Sequence, residues 1–261
     1  MSHPETAAPD TFRKGMASWT ESDDQVLDRY RLWQAQLISP FLGRRVLEVG
    51  AGPGMMASFL AGSRSFDRYL ALEPSEHFFP MLRKVAAGLP GLECRNCTTA
   101  DVLPGLAGDF DTVFSIHVME HVEDDAAFVS QCRDLLAPGG KAIILVPALG
   151  FLYSDLDRKI GHFRRYDRVK IRALARAVDM ELVLNRYDNL IGALGYLWVC
   201  KIRKVDYHNG GNKKTLLRWF RLFSDYVLPV VSAVEKRIPP PIGLNLTAVL
   251  QKPLQAKPAS T

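Results

Sequence analysis

The 261-residue chain has little cysteine. Of its four thiols, Cys94, Cys97, Cys132 and Cys200, only the first two form a C-x-x-C pair. A zinc site of that type needs a second pair and a thioredoxin-like site needs another context, so these read as ordinary free thiols. Long hydrophobic runs are also missing. The longest, LIGALGYLWVC at 190–200, is about half the length a membrane-spanning helix requires. The opening MSHPETAAPDTFRKG has no basic start followed by an apolar run, so no secretory signal is expected and the protein reads as cytoplasmic. Charge of one sign is in small excess: 33 Lys and Arg against 28 Asp and Glu give +5. That excess suits an ordinary basic enzyme as well as an anionic partner or a membrane surface.

What is present is enough apolar material for one sizeable core, at 48% hydrophobic side chains. Residues 1–20 read as a flexible tail rich in Pro, Ser, Thr and Ala. ESDDQVLDRYRLWQAQLISPFL then reads as a helix with Ser22 as N-cap, apolar at Val26, Leu27, Tyr30, Trp33 and Leu37 and stopped by Pro40. From there strands (RVLEVG, RYLALE, LECRNC, FDTVFSIH, KAIILVP) alternate with helices (MMASFLAG, SEHFFPMLRKVAAG, DDAAFVSQCRDLLA), the last helix ending at Pro138-Gly139-Gly140. KAIILVP is apolar on both faces, as a central parallel strand should be. Such alternation predicts an α/β, doubly wound, Rossmann-like sheet whose ligands bind beyond the C-terminal ends of the strands. One domain over 21–250 is expected, with substrate-side insertions or a cap within 148–236 and a second tail over 251–261.

RRVLEVGAGPGMM, residues 44–56, runs a strand into a glycine turn at that edge. Gly50, Gly52 and Gly54 give G-x-G-x-G, whereas the dinucleotide fingerprint needs a glycine at position 55, which is Met, and no Gly-Lys-Ser/Thr of a phosphate loop follows. Glu48, two residues before the turn, would repel a pyrophosphate and favours a cation. Glu73, ending the second strand, stands where a carboxylate accepts hydrogen bonds from both ribose hydroxyls.

A cation at strand one and a ribose at strand two together describe S-adenosylmethionine. With VLEVGAGPG, LALEPS, FDTVFSIHVMEHVEDD and LLAPGGKAIILVPA in that order, the chain resembles the class I S-adenosylmethionine-dependent methyltransferases over roughly residues 26–250. The resemblance implies a seven-stranded sheet closed by an antiparallel hairpin, supplied by ELVLNRY and NLTAVLQK, with helical additions at the N-terminus and in the C-terminal third. It implies that Glu48, Gly50 and Gly52 frame the methionine moiety, that Gly54 supports the turn, and that Glu73 binds the ribose beside Pro74 and Ser75. Thr99, Ala100 or Asp101 would meet the adenine. Ser115, at the end of the fourth strand, belongs to the same cofactor side. Tyr30 and Trp33 either close a lid over the cofactor or belong to the core.

His117–His121, H-V-M-E-H, matches the H-x-x-E-H spacing of a zinc-protease group. It follows a strand instead of lying on a helix, and His117 stands where metal-binding relatives of the fold carry Glu, so no metal is expected. His117 is read as a general base near the transferable methyl, or as a structural histidine. The segment GHFRRY at 161–166 resembles one bordering the active site in a bacterial small-molecule subgroup. It makes His162 a catalytic candidate and Arg164, Arg165 and Tyr166 substrate-side candidates; alternatively the arginines brace the loop against Asp155, Asp157 or Asp167.

The expected activity is methyl transfer to a small organic acceptor, in bacterial specialised metabolism. Alternatives are a lipid-linked or glycan acceptor at a membrane surface and a non-catalytic cofactor binder. Nucleic acid is not expected, because Ser115-Ile116-His117-Val118 replaces the Asn/Asp-Pro-Pro-aromatic motif of base methylation. The aromatic and basic stretch 190–236, with Lys201, Arg203, Lys204, Lys213, Lys214, Arg218 and Arg221, reads as an acceptor cap, a dimer face or a peripheral membrane contact.

Overall fold

A computed structural model of the chain describes residues 21–205 and 210–254. The expected N-terminal tail, 1–20, lies outside the described residues, as do positions 255–261 of the C-terminal one. In chain order the elements are α1 (Glu21–Ile38), β1 (Arg45–Val49), α2 (Met55–Ser63), β2 (Arg68–Leu72), α3 (Phe79–Ala87), β3 (Leu92–Arg95), α4 (Thr99–Leu106) and β4 (Phe110–Ile116). They continue with α5 (Asp125–Leu135), β5 (Leu136–Pro147), α6 (Asp155–Lys159), α7 (Arg168–Ala177), β6 (Glu181–Asp188), α8 (Leu190–Tyr196), α9 (Gly210–Leu222), α10 (Leu228–Glu235) and β7 (Asn245–Gln251).

The seven strands form one sheet in the order β3-β2-β1-β4-β5-β7-β6. The first five are parallel, and β7 runs antiparallel between β5 and β6. This is the doubly wound sheet and closing hairpin expected from the sequence. Because side chains alternate faces along a strand, Leu47, Leu70, Val113 and Ile144 join one apolar layer. Val46, Tyr69, Phe114 and Ile143 join the other. Both faces being covered is what leaves only the strand ends for a ligand.

Several boundaries differ from the sequence reading. The described part of α1 begins at Glu21, so Ser22 lies within the helix and not at its cap. Residues 99–106, to which the sequence reading assigned no element, form α4: Thr98 and Asp101 close a capping box at its start. Pro104 removes only one backbone bond from so short a helix. The expected stop Pro138-Gly139-Gly140 lies inside β5 as an irregularity, because Leu136 already pairs with Phe110 before the register resumes at Thr112 and Lys141. Gln251, within the expected strand NLTAVLQK although the expected tail began there, is the last residue of β7, and the Lys252 backbone exchanges bonds with Gly139 and Gly140.

Candidate functional site

The turn after β1 is built by glycines in the left-handed region. Gly50 (φ 70°), Gly52 (φ 56°) and Gly54 (φ 90°) all have positive φ, which other residues adopt at a cost. At Gly50 a Cβ would sit 2.4 Å from Val118 Cγ2, while at Gly52 it would meet nothing within 4 Å among the described residues. Gly50 is therefore a packing requirement, and Gly52 lines open space at the strand ends.

Glu73 faces this turn. Its two carboxylate oxygens accept from the Gly52 N–H (2.7 Å) and the Ser75 N–H (2.8 Å). Each oxygen keeps a second lone pair for a hydroxyl donor. Burial pushes the Glu73 carboxyl above its ordinary range, and the two backbone bonds pull it back. Pro74 is exposed beside it, and Ser75 is buried, its Oγ accepting from His77 and Phe78 N–H. The open face of Gly52 beside a carboxylate with unused acceptor capacity fits a ribose-bearing cofactor.

Glu48 sits deeper. It lies on the Val46 and Tyr69 side of the sheet, 4% exposed, and accepts a 2.6 Å hydrogen bond from the Tyr69 hydroxyl. Burial drives its pKa up to about 8, the Tyr69 bond opposes this, and the nearby Glu73 charge adds to it. At neutral pH the ligand-free protein therefore holds Glu48 protonated, whereas the sequence argument took it as an anion. Ser115 is buried opposite Val49 in the β1–β4 register.

Of the adenine-side candidates, Thr99 is buried and donates to Gln131 Oε1 (2.6 Å), and Ala100 is exposed. Asp101 Oδ2 accepts from both the N–H and hydroxyl of Thr98 at 2.7 Å, capping α4. Tyr30 and Trp33 take the core alternative. Their rings lie 5.1 Å apart, Trp33 packs with Leu37, Leu145 and Leu228, and the Tyr30 hydroxyl accepts from Asn245 (2.6 Å). The residue of α1 that reaches the strand ends is Gln34, which the sequence reading passed over.

Gln34 Nε2 lies 2.8 Å from His117 Nε2. His117 ends β4 in a left-handed conformation (φ 55°), and its Nδ1 is 3.2 Å from Glu120 Oε1. With the amide oriented so, Gln34 donates to Nε2 and the His117 proton resides on Nδ1. As a base, His117 must first release Gln34.

Glu120 is fully buried. Burial opposes its ionisation, but the His117 hydrogen bond and the imidazoles of His117, His121 and His162 hold it below the ordinary carboxylate range. Its Oε2 has no hydrogen-bond partner among the described residues. His121 Nδ1 faces the Gly161 carbonyl (3.2 Å), which can only accept, so the proton sits on Nδ1; burial depresses the His121 pKa to about 4. His162 Nδ1 faces Asp157 Oδ1 (2.8 Å) and Nε2 lies 3.8 Å from Glu120 Oε1. One donor atom from each of Glu120, His121 and His162 falls within 4.8 Å of the others. An anionic carboxylate and two imidazole lone pairs pointed together form a donor set able to hold a divalent cation, with Asp157 and the Gly161 carbonyl as outer partners.

The alternative weighed from sequence paired the arginines with Asp155, Asp157 or Asp167: Arg165 follows that reading through Asp157, whereas Arg164 takes a partner it did not name. Arg164 bonds Asp125 Oδ2 (2.9 Å) and the Glu123 carbonyl (2.6 Å). Arg165 is 4% exposed, forks onto both Asp157 oxygens (2.8 and 3.1 Å) and stacks 4.3 Å over Tyr196. Tyr166 is completely buried and donates toward the Met119 carbonyl and Asp125 at 3.2 Å. A guanidinium so neutralised has no free fork for a substrate anion. Asp157 also accepts from the Tyr196 hydroxyl (2.7 Å) and caps α6 through Ser154. It is the hub the sequence reading missed, although Ser154-x-x-Asp157 is a capping signature.

Residues 47–142 match the methyltransferase-domain family. A curated relative, the ubiquinone biosynthesis O-methyltransferase of Dinoroseobacter shibae, is 37% identical over 103 residues, 39% of this chain and 40% of that protein. The match thus spans well under half the length of either chain. Among solved structures, the 1,6-didemethyltoxoflavin-N1-methyltransferase of Burkholderia thailandensis, with its substrate and S-adenosylhomocysteine bound, superposes with TM-score 0.60 at 16% identity, covering 97% of this chain and 93% of that one. The [4+2]-cyclase SpnF has the same fold at TM-score 0.60 and 16% identity, covering 92% and 84%. Over residues 47–142 the chain is thus similar to methyltransferase domains, and the strand order and the glycine turn facing Glu73 agree with that likeness.

Proposed function

We propose that the protein transfers a methyl group from S-adenosylmethionine to a hydroxyl of a small organic acceptor, in bacterial cytoplasmic metabolism. The observation that carries this reading is the Gly52–Glu73 arrangement, in which an open glycine face adjoins a buried carboxylate. When bound, S-adenosylmethionine supplies an electrophilic methyl on a sulfonium. Glu73 would hold the ribose, Gly50, Gly52 and Gly54 shape the close approach, and Glu48 would meet the methionine end with Ser115 nearby. Pro74 and Ser75 border the ribose site; Thr99, Ala100 and Asp101 border the adenine side. The hydroxyl acceptor is inferred from the O-methyltransferase relatives. Nucleic acid is not proposed as a substrate.

Two imidazoles lie at the C-terminal end of β4. His162, its Nδ1–H directed at Asp157, would present Nε2 to the acceptor hydroxyl and take its proton; His117 is the second candidate. Convergence of Glu120, His121 and His162 favours a second reading, in which these side chains hold a divalent cation that lowers the acceptor's pKa. Formation of S-adenosylhomocysteine with a library of phenols and catechols tests the first reading. Chelator treatment followed by metal restoration separates the two: loss and recovery select the metal, and indifference selects the base. The SpnF likeness keeps fold and reaction distinct, so a failure to form S-adenosylhomocysteine with any acceptor would overturn methyl transfer while leaving the fold assignment intact.

A further inference from the structure

The helical C-terminal third has an outward apolar face. From α9 through a π-helical turn (Phe223–Val227) into α10, helix runs from Gly210 to Glu235. Its inward side carries the buried Ser224, Leu228, Ser232 and Glu235. Trp219, Leu222, Tyr226, Val230, Val234 and Ile238 recur every three or four residues and are each between 40% and 71% exposed. That spacing places those within the helix, Trp219 to Val234, on one face, about 22 Å long at 1.5 Å per residue, with Ile238 just past the helix end. A second stripe, Ile191, Leu194, Trp198 and Ile202, follows the same spacing on α8 and the π-helical turn after it. Scattered surface apolar residues are ordinary, but a stripe over about four turns is not.

Basic residues accompany the long stripe. Lys214, Arg218 and Arg221 are exposed on the same helical run, and Lys236 and Arg237 are exposed just past its end. The acids are Asp225, within 3.7 Å of both Arg29 and Arg221, and Glu235, buried and accepting from the Asn189 and Leu190 N–H. Beside the stripe a groove of about 560 Å³ has Arg29, Lys236 and Arg237 among its walls and Leu32, Trp33 and Leu228 as its apolar lining. Ser224 also lines it, and neither Ser224 Oγ nor Trp33 Nε1 has a hydrogen-bond partner among the described residues.

We propose that this face docks on an anionic lipid surface, the stripe lying in the headgroup boundary and the groove receiving one anionic headgroup. Trp and Tyr with flanking Arg and Lys are the side chains that such a boundary favours. Among the described residues no helix is long and apolar enough to cross a membrane, so the geometry is that of lying on it. Pairing with a second copy would set Arg218, Arg221, Lys236 and Arg237 against their equivalents. A lipid surface of opposite charge removes that repulsion. The proposal does not depend on the methyl-transfer reading, because it rests on residues outside that site.

The test is co-sedimentation of the full chain with vesicles of phosphatidylcholine alone and of equimolar phosphatidylcholine and phosphatidylglycerol. The result expected is binding to the mixed vesicles, weakened at high salt, with a blue shift of tryptophan emission. Trp219→Ser with Tyr226→Ser should abolish it, and Arg218→Glu with Arg221→Glu should weaken it by at least tenfold, since each basic residue near such a surface contributes about fivefold. Protein left in the supernatant with both vesicle types, or equal binding to neutral vesicles, would overturn the proposal. So would sedimentation velocity showing a dimer that the Trp219→Ser and Tyr226→Ser pair dissolves. Circular dichroism and S-adenosylmethionine affinity, unchanged in the variants, keep misfolding apart from lost docking.

Discussion

Replacing Glu48 by Gln isolates the cost of a buried carboxyl. In the folded protein its pKa is raised from an ordinary 4.5 to about 8, chiefly by burial. In the unfolded chain it ionises freely above its ordinary value, so the unfolded state loses its proton first. The Glu48 contribution is therefore fully present below the unfolded pKa, declines as pH rises, and levels off above the folded pKa. At about 1.4 kcal/mol per pH unit midway between the two pKa values and less near either, the loss between about pH 5 and pH 8 is about 3.5 kcal/mol. A glutamine amide would keep the shape and an oxygen to accept from Tyr69, whose hydroxyl lies 2.6 Å from Glu48 Oε2, but has no acidic proton to lose. Urea unfolding of both proteins across this pH range should give a stability difference that grows in favour of Glu48→Gln by about that amount. Parallel stability curves would refute the assignment of a protonated Glu48.

Three further outcomes follow from the same geometry. Gly52→Ala, with open space but φ 56°, should cost about 1 kcal/mol of stability by denaturant titration and more in cofactor affinity by calorimetry. Gly50→Ala, whose Cβ would lie 2.4 Å from Val118, should destabilise by at least about 2 kcal/mol. If Glu48 meets the methionine end, cofactor binding at pH 7 should release a proton, because a cation favours the ionised carboxyl; calorimetric enthalpies that vary with buffer ionisation would register it, and identical enthalpies would count against that placement.

The fold was readable because its signals are local: VLEVG and AIILVP are apolar runs too short for helices, and glycine turns punctuate them. The antiparallel hairpin was also recoverable, since ELVLNRY and NLTAVLQK each read as strands. α4 was not: the sequence reading assigned no element between LECRNC and FDTVFSIH, although Thr98-x-x-Asp101 is the capping signature that sets the helix start. Site residues were harder. Gly52 and Glu73 follow from chain position at strand ends, but partnership across the fold does not. Nothing in GHFRRY distinguishes an arginine offered to substrate from one forked onto Asp157, eight residues earlier and on another element. Gln34 reaches His117 from 83 positions away, a contact that only the placement of α1 over the strand ends creates.

The central claim, a cofactor site centred on Glu73 and the glycine turn, is tested most directly by calorimetric titration of the purified protein with S-adenosylmethionine. NADH and ATP serve as controls, and Glu73→Ala is run in parallel. The account predicts selective binding of S-adenosylmethionine, weakened in Glu73→Ala by about 1 to 3 kcal/mol through loss of charge-assisted hydrogen bonds. Absence of binding by the folded wild-type protein, freed of any carried-over ligand, or equal affinity in the variant would contradict it.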